Sequence, residues 1–261
     1  MAYIIAIANE KGGVAKTTTT LSLGAALVET GKEVLLIDLD AQANLTLGLN
    51  IDPSKIRRSI ANVLLESASA ISVSRETGIP GLDIIPSNTE MGMAERFLPL
   101  RQNHEFILRQ ALCDAGNLFY DYILLDCPPF LGAVTNNALV ASDLLLIPTQ
   151  PEYFSIHALR NMLALVHRLH AQNNPYITYR LLITMFDRRN RSHRLLSEQL
   201  RVNFNSCVYE AVIDTDTKLR ESPIAGLPII YYAPKSRAAV RYRALAQEIN
   251  QYVQETIRQP A

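Results

Sequence analysis

Tryptophan is missing from this 261-residue chain, cysteine occurs three times, and charge of neither sign prevails. Each shortage excludes something. Cys113, Cys127 and Cys207 are odd in number and lack C-x-x-C spacing, so neither a disulfide framework nor a thiolate metal site is expected. A reducing compartment fits that pattern. Twenty-five basic residues balance 25 acidic ones, so no global field draws the chain to nucleic acid or membrane, and such a contact must come from a local patch. No apolar run reaches the about 18 residues that a bilayer span needs. The start, Met1-Ala2-Tyr3, has no basic flank ahead of a hydrophobic stretch and does not read as a signal peptide. The expected protein is soluble and cytoplasmic.

What is present is 48% hydrophobic and regularly spaced. Short, continuously apolar runs at 3–8, 34–37, 82–85, 122–125, 144–147 and 181–183 read as strands covered on both faces. Helical patterns fall between them at 17–30, 59–66, 104–115, 134–141 and 156–171, with later ones near 192–204 and 238–257. Gly31 reads as a helix C-cap. Alternation of this kind predicts an α/β fold: a doubly wound, mostly parallel sheet flanked by helices. No linker, repeat or low-complexity tract interrupts it, so one domain over 1–261 is expected.

The most informative residues are Lys11-Gly12-Gly13-Val14-Ala15-Lys16-Thr17-Thr18, between the first strand and the first helix. A glycine-bearing turn aims backbone N–H groups at an anion, and the helix N-terminus adds its positive dipole end. Lys16 is placed to reach terminal phosphates and the Thr17 hydroxyl to hold Mg²⁺. The loop therefore predicts nucleoside triphosphate binding. It departs from the ordinary motif: Glu10 and Ala15 stand where glycine is usual, and Lys11 is an additional lysine.

Three carboxylates complete the pattern. Asp38 and Asp40 close Leu35-Leu36-Ile37-Asp38-Leu39-Asp40, and Asp126 closes Tyr122-Ile123-Leu124-Leu125-Asp126. Apolar residues followed by an aspartate bury the strand and point the acid toward a metal on the phosphates. Pro128-Pro129 ends the second of these strands.

Two lysines flanking Gly-Gly-Val resemble the deviant P-loop of the ParA/MinD group of dimerising ATPases. The resemblance then covers nearly the whole chain. Asp38-Leu39-Asp40-Ala41-Gln42-Ala43-Asn44-Leu45-Thr46 is similar to the D-x-D-P-Q-x-N segment of ParA/Soj-type partition ATPases, with Ala41 replacing the proline. Asp126-Cys127-Pro128-Pro129-Phe130-Leu131-Gly132, Thr135-Asn136-Asn137, Ile147-Pro148-Thr149-Gln150-Pro151-Glu152-Tyr153 and Tyr232-Ala233-Pro234-Lys235-Ser236-Arg237 also fit. The resemblance implies ATP and Mg²⁺ as cofactors, hydrolysis to ADP and phosphate that is slow without a stimulating partner, and a homodimer closed around ATP. It implies that Lys11 reaches the partner subunit's nucleotide, that Asp40 orients the attacking water, and that Thr17, Asp38 and Asp126 serve the metal. Adenine is expected near Met185 and Ile213. Asp214 and Asp216 depart from the family's proline and asparagine there.

Arg188, Arg189, Arg191 and Arg194 put four arginines within seven residues, and Lys218, Arg220, Lys235, Arg237, Arg241 and Arg243 form a second basic group. Such clusters pair with phosphates without reading bases, or form solvated faces and internal ion pairs. The resemblance implies non-specific DNA binding in the ATP state, nucleoid association, and a ParB-like or other cargo adaptor that stimulates hydrolysis. The rival readings differ in features the sequence holds. A MinD-like membrane-surface ATPase wants a basic amphipathic C-terminus, whereas 249–259 is polar with one basic residue, so no membrane is expected. A nitrogenase-iron-protein-like reductase wants paired cluster cysteines. A scaffold using ATP only to hold a protein partner would form dimers without releasing phosphate. The first strand begins at Tyr3, which leaves no room for a DNA-reading helix-turn-helix ahead of the loop.

Overall fold

The computed structural model describes residues 2–114 and 119–258. Its strands are β1 (Tyr3–Ile7), β2 (Val34–Asp38), β3 (Arg75–Ile79), β4 (Leu82–Ile85), β5 (Tyr122–Asp126), β6 (Leu144–Thr149), β7 (Thr178–Phe186) and β8 (Val208–Asp214). The helices are α1 (Lys16–Val28), α2 (Asn44–Leu47), α3 (Ile60–Glu66), α4 (Ala70–Val73), α5 (Met91–Phe97) and α6 (Ile107–Asp114). They continue as α7 (Ala133–Ala141), α8 (Tyr153–Gln172), α9 (Arg191–Phe204), α10 (Lys218–Glu221), α11 (Ile229–Tyr232) and α12 (Arg237–Arg258). No helix among the described residues is long and apolar enough to cross a membrane.

The strands form one sheet in the order β3-β4-β2-β5-β1-β6-β7-β8, parallel throughout except for the β3–β4 pair. The continuous apolar runs are explained by the pleat. Leu35, Ile37, Ile123 and Leu125 turn to the face carrying α3, α5, α6 and α7, while Val34, Leu36 and Leu124 turn to the face carrying α1 and α12. Because alternate side chains enter two different cores, neither face of the strand tolerates polarity. The carboxyl ends of β1, β2 and β5 lie together, so the turn after β1 and the terminal acids of its neighbours open on one crevice.

The predicted strands and long helices are all present, with boundary differences. The helix expected at 104–115 is a 3₁₀ turn at His104–Phe106 followed by α6, and residue 115 lies outside the described residues. Helix α1 stops at Val28, and Gly31, at φ +80°, closes the turn beyond it instead of capping the helix directly. Strands β3 and β8 and the short helices α2, α4, α5, α10 and α11 carried no sequence expectation. Strand β3 is an exposed edge, Arg75-Glu76-Thr77-Gly78-Ile79, with no apolar run. In β8, exposed Glu210 interrupts the apolar run, and α5 is a single short helix between loops.

Helix α1 lies so close to the sheet that Gly24 is required by space. A Cβ there would stand 2.8 Å from Leu36 Cδ2 and 3.3 Å from Leu82 Cδ1. Gly24→Val is therefore expected to destabilise the fold by about 1–3 kcal/mol through overpacking. Urea denaturation of parent and variant measures this, and equal midpoints would show that the helix can shift without cost.

Candidate nucleotide site

The turn after β1 is built from backbone geometry. Gly13 has φ +73° and Ala15 φ +69°, so the chain passes twice through the left-handed region before α1 begins. Only glycine enters that region freely, and alanine there costs about 1–2 kcal/mol. This explains why the ordinary motif has glycine at the position of Ala15. The loop is fastened at both flanks: Asn9 Nδ2 donates to Pro148 O at 2.8 Å and Thr184 Oγ1 to Val14 O at 3.0 Å. Val14 itself is fully buried and does not line the crevice.

Helix α1 has no side-chain cap at its N-terminus and no acid in its first turn. Its first N–H groups are thus directed at the crevice, which is an anion site. Gly12, Gly13, Ala15, Lys16, Thr17, Thr18, Asp40, Met185 and Ile213, all expected from the sequence, line one cavity of about 940 Å³. Lys16 is buried, and its Nζ donates to the carbonyls of Asn9 at 3.1 Å and Lys11 at 3.2 Å. Burial lowers its pKa, while Asp126 is the largest of the opposing charges.

The metal end is a layer of acids and hydroxyls. Asp38 and Asp126 are directly opposite one another on β2 and β5, and both are fully buried. Thr17 Oγ1 donates to Asp126 Oδ2 at 2.7 Å, and Thr20 Oγ1 donates to Asp126 Oδ1 at 3.2 Å. Asp38 instead organises its own loop, accepting from Thr46 N at 2.9 Å and Thr46 Oγ1 at 2.7 Å. Asp40 lines the cavity, and its carboxylate accepts from Gln42 N at 2.9 Å. Desolvation, then the charge of Asp38, raises the pKa of Asp126; desolvation also raises that of Asp38.

Mg²⁺ fits this donor set. Two buried carboxylates and a threonine hydroxyl are hard oxygen donors, and among the described residues neither carboxylate forms an ion pair. No group of three His, Cys, Asp or Glu forms a closed metal cage among the described residues. Mg²⁺ does not need one, since it keeps waters and takes substrate phosphates as ligands. Thr17 and Asp126 would hold it, and it would neutralise phosphate charge.

Lys11 does not enter the cavity. Its Nζ pairs with Glu152 at 2.6 Å and bonds Ser155 Oγ at 3.2 Å, at the start of α8. At the base end, the aspartates that depart from the family pattern are internally engaged. Buried Asp214 takes a two-point bond from Arg188, at 3.0 and 3.1 Å, and Asp216 Oδ1 accepts from Lys218 N at 2.9 Å.

The basic residues separate into groups. Arg188 is committed to Asp214, Arg194 Nη1 to the carbonyl of Arg188 at 2.7 Å, and Lys218 to Glu221 at 2.6 Å. Arg189, Arg220 and Arg237 line the nucleotide cavity. Arg191 is exposed on α9 and Arg241 half-buried on α12, neither with an ion pair among the described residues. Sequence reasoning did not single out Thr20, Thr46, Ser87 or Glu95. Only Thr46 lies within the Asp38–Thr46 motif, and neither isolated hydroxyl residues nor a lone glutamate carry a pattern that spacing alone can read.

A family model described as an AAA domain matches residues 2–179. The sporulation initiation inhibitor protein Soj of Bacillus subtilis is 40% identical over 250 residues, 95% of this chain and 98% of that protein. The chromosome partitioning protein ParA of Caulobacter vibrioides is 36% identical over 248 residues, 94% of this chain and 93% of that protein. This chain belongs to the ParA/Soj family of partition ATPases. Among solved structures, cobyrinic acid a,c-diamide synthase from Mycobacterium smegmatis, with a bound ATP analogue and magnesium, superposes with a TM-score of 0.85 at 30% identity, covering 97% of this chain and 96% of that one. The family is a group of ATPases that use ATP and Mg²⁺, in agreement with the uncapped helix, the buried acids and Thr17.

The raised pKa of Asp126 has a testable sign. Its carboxyl binds a proton more tightly folded than unfolded, so without nucleotide and metal the protein loses stability as pH rises above the ordinary carboxylate range. Asp126→Asn removes that loss. It is expected to raise stability at pH 8 by roughly 1–3 kcal/mol, with the gain vanishing near pH 4, while abolishing hydrolysis. Thermal unfolding across pH checks it; a pH-independent difference would assign the effect to packing.

Proposed function

We propose that this chain, as one ATPase unit over residues 1–261, is an ATP-switched dimer that binds DNA without sequence preference and partitions or positions a cargo. The observation that carries it is the uncapped start of α1 beside the Thr17–Asp126 pair, which supports a cycle of binding, hydrolysis and release. In that cycle Lys16 neutralises the terminal phosphates, Thr17 and Asp126 hold Mg²⁺ with Asp38 behind them, and Asp40 orients water. Met185 and Ile213 pack on the base. Lys11, now on Glu152, exchanges that partner for the nucleotide of a second subunit.

The DNA surface is drawn from the basic residues near the cavity mouth. Two subunits double the phosphate contacts, and affinity falls steeply with salt in proportion to their number. A patch too weak in one subunit becomes effective in a dimer, so nucleotide state controls DNA binding. A ParB-like or other adaptor that accelerates hydrolysis then removes the protein locally from the nucleoid, leaving a gradient that moves cargo in the cytoplasm.

Two measurements test the reading. With ATP and Mg²⁺, the parent is expected to dimerise by light scattering and Lys11→Ala to dimerise more weakly; unchanged dimerisation in Lys11→Ala would remove the cross-subunit role. Fluorescence anisotropy on unrelated duplexes is expected to show binding with ATP and not with ADP. Arg191→Glu with Lys235→Glu, the latter exposed in the turn between α11 and α12, should weaken every sequence alike and flatten the salt slope. Equal binding with ATP and ADP would discard the switch.

A further inference from the structure

The two acid-bearing loops are joined by a segment that belongs to neither. Ser87, fully buried, donates from Oγ to Asp40 O at 2.7 Å, and its N–H donates to Thr46 Oγ1 at 3.0 Å. That same Thr46 hydroxyl donates to Asp38. Asn88 continues the attachment, accepting from Ser59 Oγ at 3.0 Å and donating to Ile56 O at 3.3 Å. The chain then enters α5, whose Met91 and Ala94 are buried in the core.

The other end of α5 reaches the loop that follows Asp126. Glu95 Oε1 accepts from Ala133 N at 2.5 Å and Oε2 from Val134 N at 3.1 Å, so a carboxylate from α5 caps the first turn of α7. The N-cap position itself, Gly132, has no side chain to do so. Its φ of −100° would suit any residue; a Cβ there would overlap Glu95 Oε1 and Phe130 Cε1, so the capping carboxylate and the Phe130 ring keep their places only beside glycine. A charged acceptor on helix-terminal N–H groups is among the stronger hydrogen bonds. Thr135 Oγ1 donates to Phe130 O at 2.5 Å and closes the same loop, and Pro129 of that loop lines the nucleotide cavity.

We infer that residues 87–95 form a brace between the Asp38–Asp40 loop and the 127–132 loop, with Glu95 as the positioning residue at its far end. The brace fixes the separation of the cavity walls that carry Asp40 and Pro129, and so the geometry in which water meets the terminal phosphate. Misplacement at such a distance from the chemistry lowers turnover more than ground-state binding. The inference rests on hydrolysis taking place between these loops.

Phosphate release under saturating ATP and Mg²⁺, together with MgADP affinity, tests it in Glu95→Ala, Glu95→Gln, Gly132→Ala, the Glu95→Ala/Gly132→Ala double variant and Asp126→Ala. Glu95→Ala is expected to lower kcat about tenfold with MgADP affinity within about twofold. Glu95→Gln, keeping one acceptor, should fall between parent and Glu95→Ala. Gly132→Ala should match Glu95→Ala, because it expels the same carboxylate while the exposed Phe130 ring is free to turn aside, and the double variant should be no slower than Glu95→Ala alone. Parental turnover in Glu95→Ala beside an inactive Asp126→Ala would overturn the brace. So would a kcat loss matched by an equal loss of MgADP affinity, which a general loosening of the fold produces. Parental turnover in Asp126→Ala would overturn the site on which the brace rests.

Discussion

Two carboxylates buried side by side are the constraint on which the rest of this structure depends. Asp38 and Asp126 end adjacent parallel strands in register, and both lie in the interior. Like charges in such a place repel and are poorly solvated, so the fold must supply donors or a cation. It supplies hydroxyls: Thr46 for Asp38, Thr17 and Thr20 for Asp126. Each hydroxyl comes from the element that the site needs nearby, the short helix α2 that follows β2 or the first turns of α1. Satisfying the acids thus fixes where the phosphate turn sits relative to both strand ends. What remains uncompensated is negative charge, which a divalent cation with phosphate ligands relieves.

The backbone of the turn carries the complementary tension. Ala15 occupies a left-handed conformation that alanine resists, and no side chain caps the helix it introduces. Lys16 spends its donors on two carbonyls of its own loop. Strain and exposed N–H groups persist here because Asn9 ties the turn to Pro148 and Thr184 ties it down at Val14. The loop is held ready by its surroundings instead of by its own bonds, and the bonds that it lacks are those an anion makes.

Much of this was legible because burial leaves regular marks. Continuous apolar runs ending in aspartate marked β2 and β5, since strands covered on both faces admit no polar residue before their exit. The phosphate turn was legible because its lysines and glycines answer backbone and charge demands at fixed spacing. Edge strand β3, with Arg75 and Glu76 exposed, and the short helix α5 left no such mark. Neither did the fate of long charged side chains. Arg188 folds onto Asp214 and Lys11 onto Glu152, 26 and 141 residues away in sequence, partnerships that only the fold creates. The basic cluster therefore looked uniform as a sequence and is divided as a structure.

That division bears on how ATP and DNA communicate in the proposed cycle. Arg189, Arg220 and Arg237 line the nucleotide cavity, while Arg191 lies two residues from the first of them at the start of α9. A polyanion at the cavity mouth and a triphosphate within it draw on overlapping sources of positive charge. Unaided, that overlap makes the two ligands compete. Cooperation between them needs a second subunit, which adds cations without adding a rival anion to the same cavity. By linkage, whatever factor ATP contributes to DNA affinity through the dimer, DNA returns to ATP affinity. Dimer closure is then the step at which competition within one subunit is converted into mutual support across two.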